Sequence, residues 1–116
     1  MRMSLQQTRE TLLAYAQASL THEDTTGFLS DNVVSTMMNT GKEVRGRAAV
    51  TQQIATLQAL ASDIKPKNAM FGEGHAAVEI DFVLKDSTII PYSIIYDLGG
   101  AQITAIRFYF AGNVPA

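Results

Sequence analysis

Apolar residues recur along the first half of the chain at helical intervals. From Ser4 to Leu20, the residues Leu5, Leu12, Leu13, Ala16 and Leu20 share one side of a helix turning about 100° per residue. Ser4 is placed to cap its start, and Tyr15 falls at the edge of the stripe. Thr21-His22-Glu23-Asp24 breaks the pattern. A short second helix is expected from Asp24 or Thr25, with Phe28 and Leu29 packing inward, before Ser30-Asp31-Asn32 ends it. Val33 to Met38 has the β-branched character of a strand. Asn39-Thr40-Gly41-Lys42 reads as a turn, because Asn and Gly tolerate positive φ, and Glu43-Val44-Arg45 as a short return strand. Gly46 opens a third helix to about Ala61, with Val50, Ile54, Leu57 and Ala61 on its apolar side.

The second half changes period. Ile64 to Gly72 is expected as a strand, with Pro66 marking an edge or an irregular start. Gly72-Glu73-Gly74-His75 is a turn. Ala76 to Lys85 alternates, with Val78, Ile80, Phe82 and Leu84 on one face and Glu79, Asp81 and Lys85 on the other. A strand from Thr88 to Asp97 and another from Gln102 to Ala111 flank a hairpin signal at Gly99-Gly100. If Ser93, Ile95, Ile106, Phe108 and Phe110 point toward the helices, then Tyr92, Ile94, Tyr96, Arg107 and Tyr109 form an outer face. Gly112 to Ala116 is a tail expected to fray. The order implies an α+β fold, in which a curved, mostly antiparallel six-stranded sheet wraps around three helices. One domain spans 1–116, with its core in about 5–111.

Composition narrows the function classes. Nine Lys+Arg against eleven Asp+Glu leave a net charge of −2, which argues against nucleic-acid binding. The absence of cysteine excludes disulfides, thiolate chemistry and cysteine metal sites. No apolar stretch approaches the roughly 20 residues that span a bilayer, and Met1 to Gln7 lacks the apolar core of a signal peptide. A cytoplasmic protein is the expectation. His22 and His75 lie in turns without metal-ligand spacing, so neither a metal nor a cofactor is expected.

Three local patterns, in order, resemble the SnoaL-like branch of the nuclear transport factor 2 superfamily. Phe28-Leu29-Ser30-Asp31-Asn32-Val33 is similar to that family's F-x-x-D-x-V approach to the first strand. Lys42 to Val50 is similar to its G-x-x-A-I helix start. Pro91 to Asp97, Gly99-Gly100 and Ile103 to Phe110 resemble its closing hairpin. The resemblance implies a cone with a pocket at its open end and dimerisation through the outer sheet face. Known members include ketosteroid isomerases, polyketide cyclases, dehydratases, epoxide hydrolases and proteins without chemistry, so fold alone does not choose an activity.

The resemblance also assigns candidate residues. Tyr15 falls where the isomerases carry an oxyanion donor on the first helix. The competing reading is an aromatic at the margin of a core stripe with its hydroxyl in water. The isomerases' aspartate base corresponds to Met37, whose thioether cannot accept a proton, and their second acid to about Ser93. Steroid-isomerase chemistry by that route is therefore disfavoured, and Met37 reads as deformable apolar lining. Asp97 is the best acidic candidate, placed at the mouth of the cone, against the simpler reading of a strand-end turn residue. Glu79 and Asp81 are read as outer-face charges.

The expectation is a homodimeric SnoaL-like protein whose mainly apolar pocket binds a small hydrophobic molecule, lined by Tyr15, Met37, Phe71, Ser93, Ile95 and Phe108. The dimer is expected through Tyr92, Ile94, Tyr96, Arg107 and Tyr109. The alternatives are a cofactor-independent isomerase, cyclase or dehydratase using Tyr15 and Asp97, or a non-catalytic protein-binding module. A pocket filled by side chains would favour the last.

Overall fold

The computed structural model describes residues 3–111. The tail from Gly112 to Ala116 lies outside the described residues. Helix α1 (Leu5–Leu20) starts at a capping box. The Ser4 hydroxyl accepts from Gln7 N at 3.1 Å, and the Gln7 side chain accepts from Ser4 N at 3.0 Å. Its buried side is Thr8, Leu12, Tyr15 and Ala18. This corrects the expected stripe, because Leu5, Leu13 and Leu20 are half exposed and Tyr15 is central rather than marginal. Apolar counting overlooks Thr8, which buries fully because its hydroxyl is satisfied twice. It donates to Ser4 O at 2.8 Å and accepts from Gly74 N at 2.9 Å.

The expected second helix is a single 3₁₀ turn, Thr26–Phe28. Asp24 Oδ1 accepts from the Thr26 amide at 3.0 Å and from its hydroxyl at 2.7 Å, which closes a tight turn instead of opening a longer helix. Helix α2 (Arg47–Leu60) follows Gly46, whose φ of +95° suits glycine. The described residues thus hold two α-helices rather than three.

The strands are β1 (Leu29–Met37), β2 (Lys42–Arg45), β3 (Ala61–Gly72), β4 (His75–Leu84), β5 (Ile89–Gly99) and β6 (Gln102–Phe110). They form one sheet in the order β2-β1-β6-β5-β4-β3. Every neighbour pair is antiparallel except β1 with β6, which makes the sheet mixed. Pro66 sits on β3, an edge strand, beside an irregularity in the β3–β4 register between Pro66 and Asn68, the kind of place where a residue without an N–H is tolerated. The two residues between β5 and β6 are Gly100 and Ala101, with φ of +57° and +64°. The tight turn therefore falls one residue later than the glycine pair suggests. The fully buried Leu29, Val33 and Val50 lie where α2 covers β1, and the fully buried Ile103 of β6 stands beside Leu29. None of the described helices is long and apolar enough to cross a membrane.

The inside and outside of β5 are the reverse of the expectation. Tyr92, Ile94 and Tyr96 stand opposite Phe110, Phe108 and Ile106 across the β5–β6 ladder. Directly opposed residues share a face, so all three are buried beside the apolar residues of β6. Ser93 and Ile95 stand opposite Tyr109 and Arg107 on the outer face. The assignment of β6 itself agrees, with Ile106 and Phe108 buried and Tyr109 exposed. On β5 both parities carry apolar side chains. Yet Ile90, Tyr92, Ile94, Tyr96 and Leu98 run unbroken, whereas the other parity is interrupted by Pro91, Ser93 and Asp97. The unbroken side is the one that the cone buries.

Candidate functional site

Two helices do not fill the hollow of a six-stranded curved sheet. A cavity of about 720 Å³ remains. Its walls are the second half of α1, the C-terminal half of α2, and the inner faces of β3, β4 and β5, with Phe108 from β6. Six aromatic rings line it, those of Tyr15, Phe71, Phe82, Tyr92, Tyr96 and Phe108. Tyr15 packs edge-on against Phe28 and Tyr96, with centroids 5.9 and 6.0 Å apart. Such contacts fix ring orientation as well as burying area.

The electrostatics of the interior belong to phenols. Burial pushes the Tyr15 hydroxyl up to about 12. The Tyr96 hydroxyl is also raised, by burial first and then by the neighbouring Tyr15. Both are neutral hydrogen-bonding groups at physiological pH. The lining residues with ionisable side chains other than the tyrosines, His22, Asp63 and Lys67, are exposed. At one side of the cavity the Gln58 amide donates to the Ser19 hydroxyl at 2.7 Å, tying α2 to α1. Leu13 and Leu20, half exposed, also line the cavity. They form a second apolar side of α1, distinct from its core side.

Of the residues singled out from sequence, Tyr15, Phe71 and Phe108 line the cavity. Met37 does not; it is a buried core residue on β1, paired with Phe108. Ser93 and Ile95 are on the opposite face of the sheet, so neither reaches the cavity. Asp97 is also on that outer face, which corrects its placement at the cone mouth. There Arg107 donates to it at 2.8 and 3.4 Å, and His75 Nδ1 lies 3.0 Å away. The hydrogen bonds from Arg107 hold its carboxyl below the usual range, with a smaller contribution from His75. These charge-assisted bonds favour its ionised form and tie β4, β5 and β6 together. Glu79 and Asp81 face outward too, Asp81 pairing with Lys67 at 3.2 Å. The residues that sequence reasoning turned the wrong way are Tyr92, Ile94 and Tyr96, which line the cavity; the unbroken apolar parity of β5 was the signal for them.

No family model matches the chain, and no curated protein matches it. Solved structures match its fold. A nuclear transport factor 2-like protein of unknown function from Mesorhizobium loti superposes with a TM-score of 0.84 at 14% identity, covering 93% of each chain. Another, from Burkholderia xenovorans, gives 0.81 at 15% identity, covering 96% of this chain and 88% of that one. A protein of ketosteroid isomerase-like fold from Catenulispora acidiphila, in complex with trimethylamine, gives 0.69 at 17% identity, covering 88% and 85%. The fold is therefore that of the nuclear transport factor 2-like, ketosteroid isomerase-like proteins.

Proposed function

We propose that the chain is a SnoaL-like protein whose cavity takes a small, uncharged organic molecule, held by apolar contact and oriented by the Tyr15 hydroxyl. The observation that carries this reading is an unfilled, aromatic-lined space of about 720 Å³ with a desolvated phenol in its wall. Apolar burial supplies the affinity at about 25 cal/mol per Å², less the cost of ordering the ligand. Tyr15 supplies direction, since a dry hydroxyl gains most from a carbonyl or hydroxyl partner. A catalytic version, as an isomerase, cyclase or dehydratase, would keep Tyr15 as donor but draw its base from His22 or Asp63, both in the lining, and not from Asp97. The test is a thermal-shift panel of hydrophobic ketones and alcohols, with trimethylamine as the cationic comparator. Neutral compounds are expected to raise the midpoint, and Tyr15→Phe to reduce that rise for the oxygenated ones. No rise with any neutral compound at millimolar concentration overturns the reading.

The outer face supports a homodimer. Tyr92, Ile94 and Tyr96 leave that interface, and Ile95 joins Arg107 and Tyr109 there. Tyr109 is 41% exposed, and the part-exposed Val34, Ala77 and Ile95 give the same face an apolar character unusual for solvent contact. Light scattering should show a dimer at micromolar concentration, and the double variant Ile95→Asp with Tyr109→Glu a monomer.

A further inference from the structure

We propose that Ser19 and Gln58 form a recognition point for a carboxamide in the cavity wall, so that the ligand is an apolar molecule carrying an uncharged amide. The proposal rests on the ligand-binding reading above and adds to it a residue pair and a ligand class. The polar side chains of the wall fall into three groups. Gln17, His22, Ser62, Asp63, Lys67 and Asn68 are exposed, with water to hand. Tyr15, Tyr92 and Tyr96 are buried phenols. Ser19 and Gln58 alone, among the described lining residues, are half-buried polar side chains without a ring. They come from different helices, 39 residues apart, and meet at the cavity, where the Gln58 amide donates to the Ser19 hydroxyl at 2.7 Å.

That bond uses one donor and one acceptor of the pair. A hydroxyl carries one donor as well as acceptor sites, and an amide carries two donors and a carbonyl oxygen. What is left is a donor on Ser19 and an acceptor on Gln58. With the Gln58 amide turned round, the remainder is a donor on Gln58 and an acceptor on Ser19, so the pair offers one of each either way. A donor beside an acceptor matches the edge of a carboxamide, whose C=O accepts and whose N–H donates. A ketone uses only the donor. A carboxylate has no proton to give and an ammonium no lone pair, and either would shed its hydration against neutral walls. Around the pair the lining is apolar, with Ile54, Leu57 and Ala61 from α2 and Leu12 and Leu20 from α1. An amide is costly in such surroundings unless both of its polar atoms are met, which is why two matched groups discriminate strongly.

The test compares biphenyl-4-carboxamide with 4-acetylbiphenyl by calorimetric titration, on the wild-type chain, on Gln58→Met and on Tyr15→Phe. The two probes share one shape and one carbonyl, and an amino group in the first stands where the second has a methyl. In an apolar wall without the pair the amide is the weaker ligand, because its N–H groups lose water and gain nothing. The wild type should bind the amide at least as tightly as the ketone. Gln58→Met keeps the length of the side chain and removes its amide, and should weaken the amide about tenfold relative to the ketone. Tyr15→Phe should weaken both probes alike and leave their ratio as in the wild type, since both carry the same carbonyl. Any loosening of the tie between α1 and α2 falls on both probes and cancels in the ratio. An amide weaker than the ketone on the wild type overturns the proposal. So does a ratio that Gln58→Met leaves unchanged. If the ketone and alcohol panel binds while the amide does not, this proposal alone fails; if nothing in the panel binds, the cavity reading fails first and takes it along.

Discussion

The two faces of the β5–β6 hairpin handle polarity in opposite ways. On the outer face the polar groups are paired: Asp97 receives two bonds from Arg107 and one contact from His75, all at positions partly open to water. On the inner face Tyr92 keeps a buried hydroxyl without a partner among the described residues, and Tyr96, a neutral and desolvated phenol, packs against Tyr15 of α1. The same strand builds both, because its side chains alternate.

The largest expected effect breaks the comparison by packing. Ile106→Ala, at a position 1% exposed, should cost about 2–5 kcal/mol in urea unfolding. Ile95→Ala on the outer face should cost under about 1 kcal/mol at concentrations where the chain is monomeric. Equal costs would mean that the outer face is as deeply buried as the core.

The next effect separates the faces by pH. Tyr15 and Tyr92 are raised to about 12 in the folded state, against the ordinary 10. Their contribution is fully present below pH 10 and is lost as pH rises toward 12, on the order of 2 kcal/mol for Tyr15 and less for Tyr92. Asp97 acts at the other limit. Its folded value is depressed, so its contribution is present above about pH 4 and is lost as pH falls below that, through the folded value. Asp97→Asn should cost roughly 1 kcal/mol at pH 7 and flatten the acid limb while leaving the alkaline limb alone. Denaturant midpoints measured from pH 2 to 12 check both limbs.

The smallest effect concerns the turn that joins the two strands. Ala101 has φ of +64°, where a Cβ is strained. Ala101→Gly should stabilise the chain by about 0.5–1 kcal/mol without affecting either face. A neutral or negative result would show that the added freedom of glycine in the unfolded chain outweighs the relieved strain.

Much of the fold was legible in the chain. The Ser4 cap, the start of α2 at Gly46, the turn at Asn39-Thr40-Gly41, the edge position of Pro66 and all six strands follow from local chemistry that needs no partner. The site was less legible. Tyr15, Phe71 and Phe108 line the cavity as expected, but Met37 packs into the core and Ser93 and Ile95 lie on the outer face. A helical wheel cannot see that Gly74 satisfies Thr8 from 66 residues away and so rotates α1 to centre Tyr15. Nor does it show that the Leu13 and Leu20 side of that helix borders a hollow rather than the core.

By itself the sequence determined the six strands and the two α-helices, though not that the segment after Asp24 would close as one 3₁₀ turn, because caps, turns and periodicity are properties of a few neighbouring residues. It also determined that β5 would carry tyrosines on one parity and Ser93 and Asp97 on the other. Only the tertiary structure decided which parity faces inward. An isolated strand has two equivalent sides, and the ladder that sets Tyr92, Ile94 and Tyr96 against Phe110, Phe108 and Ile106 removes that equivalence by burying one apolar surface against another.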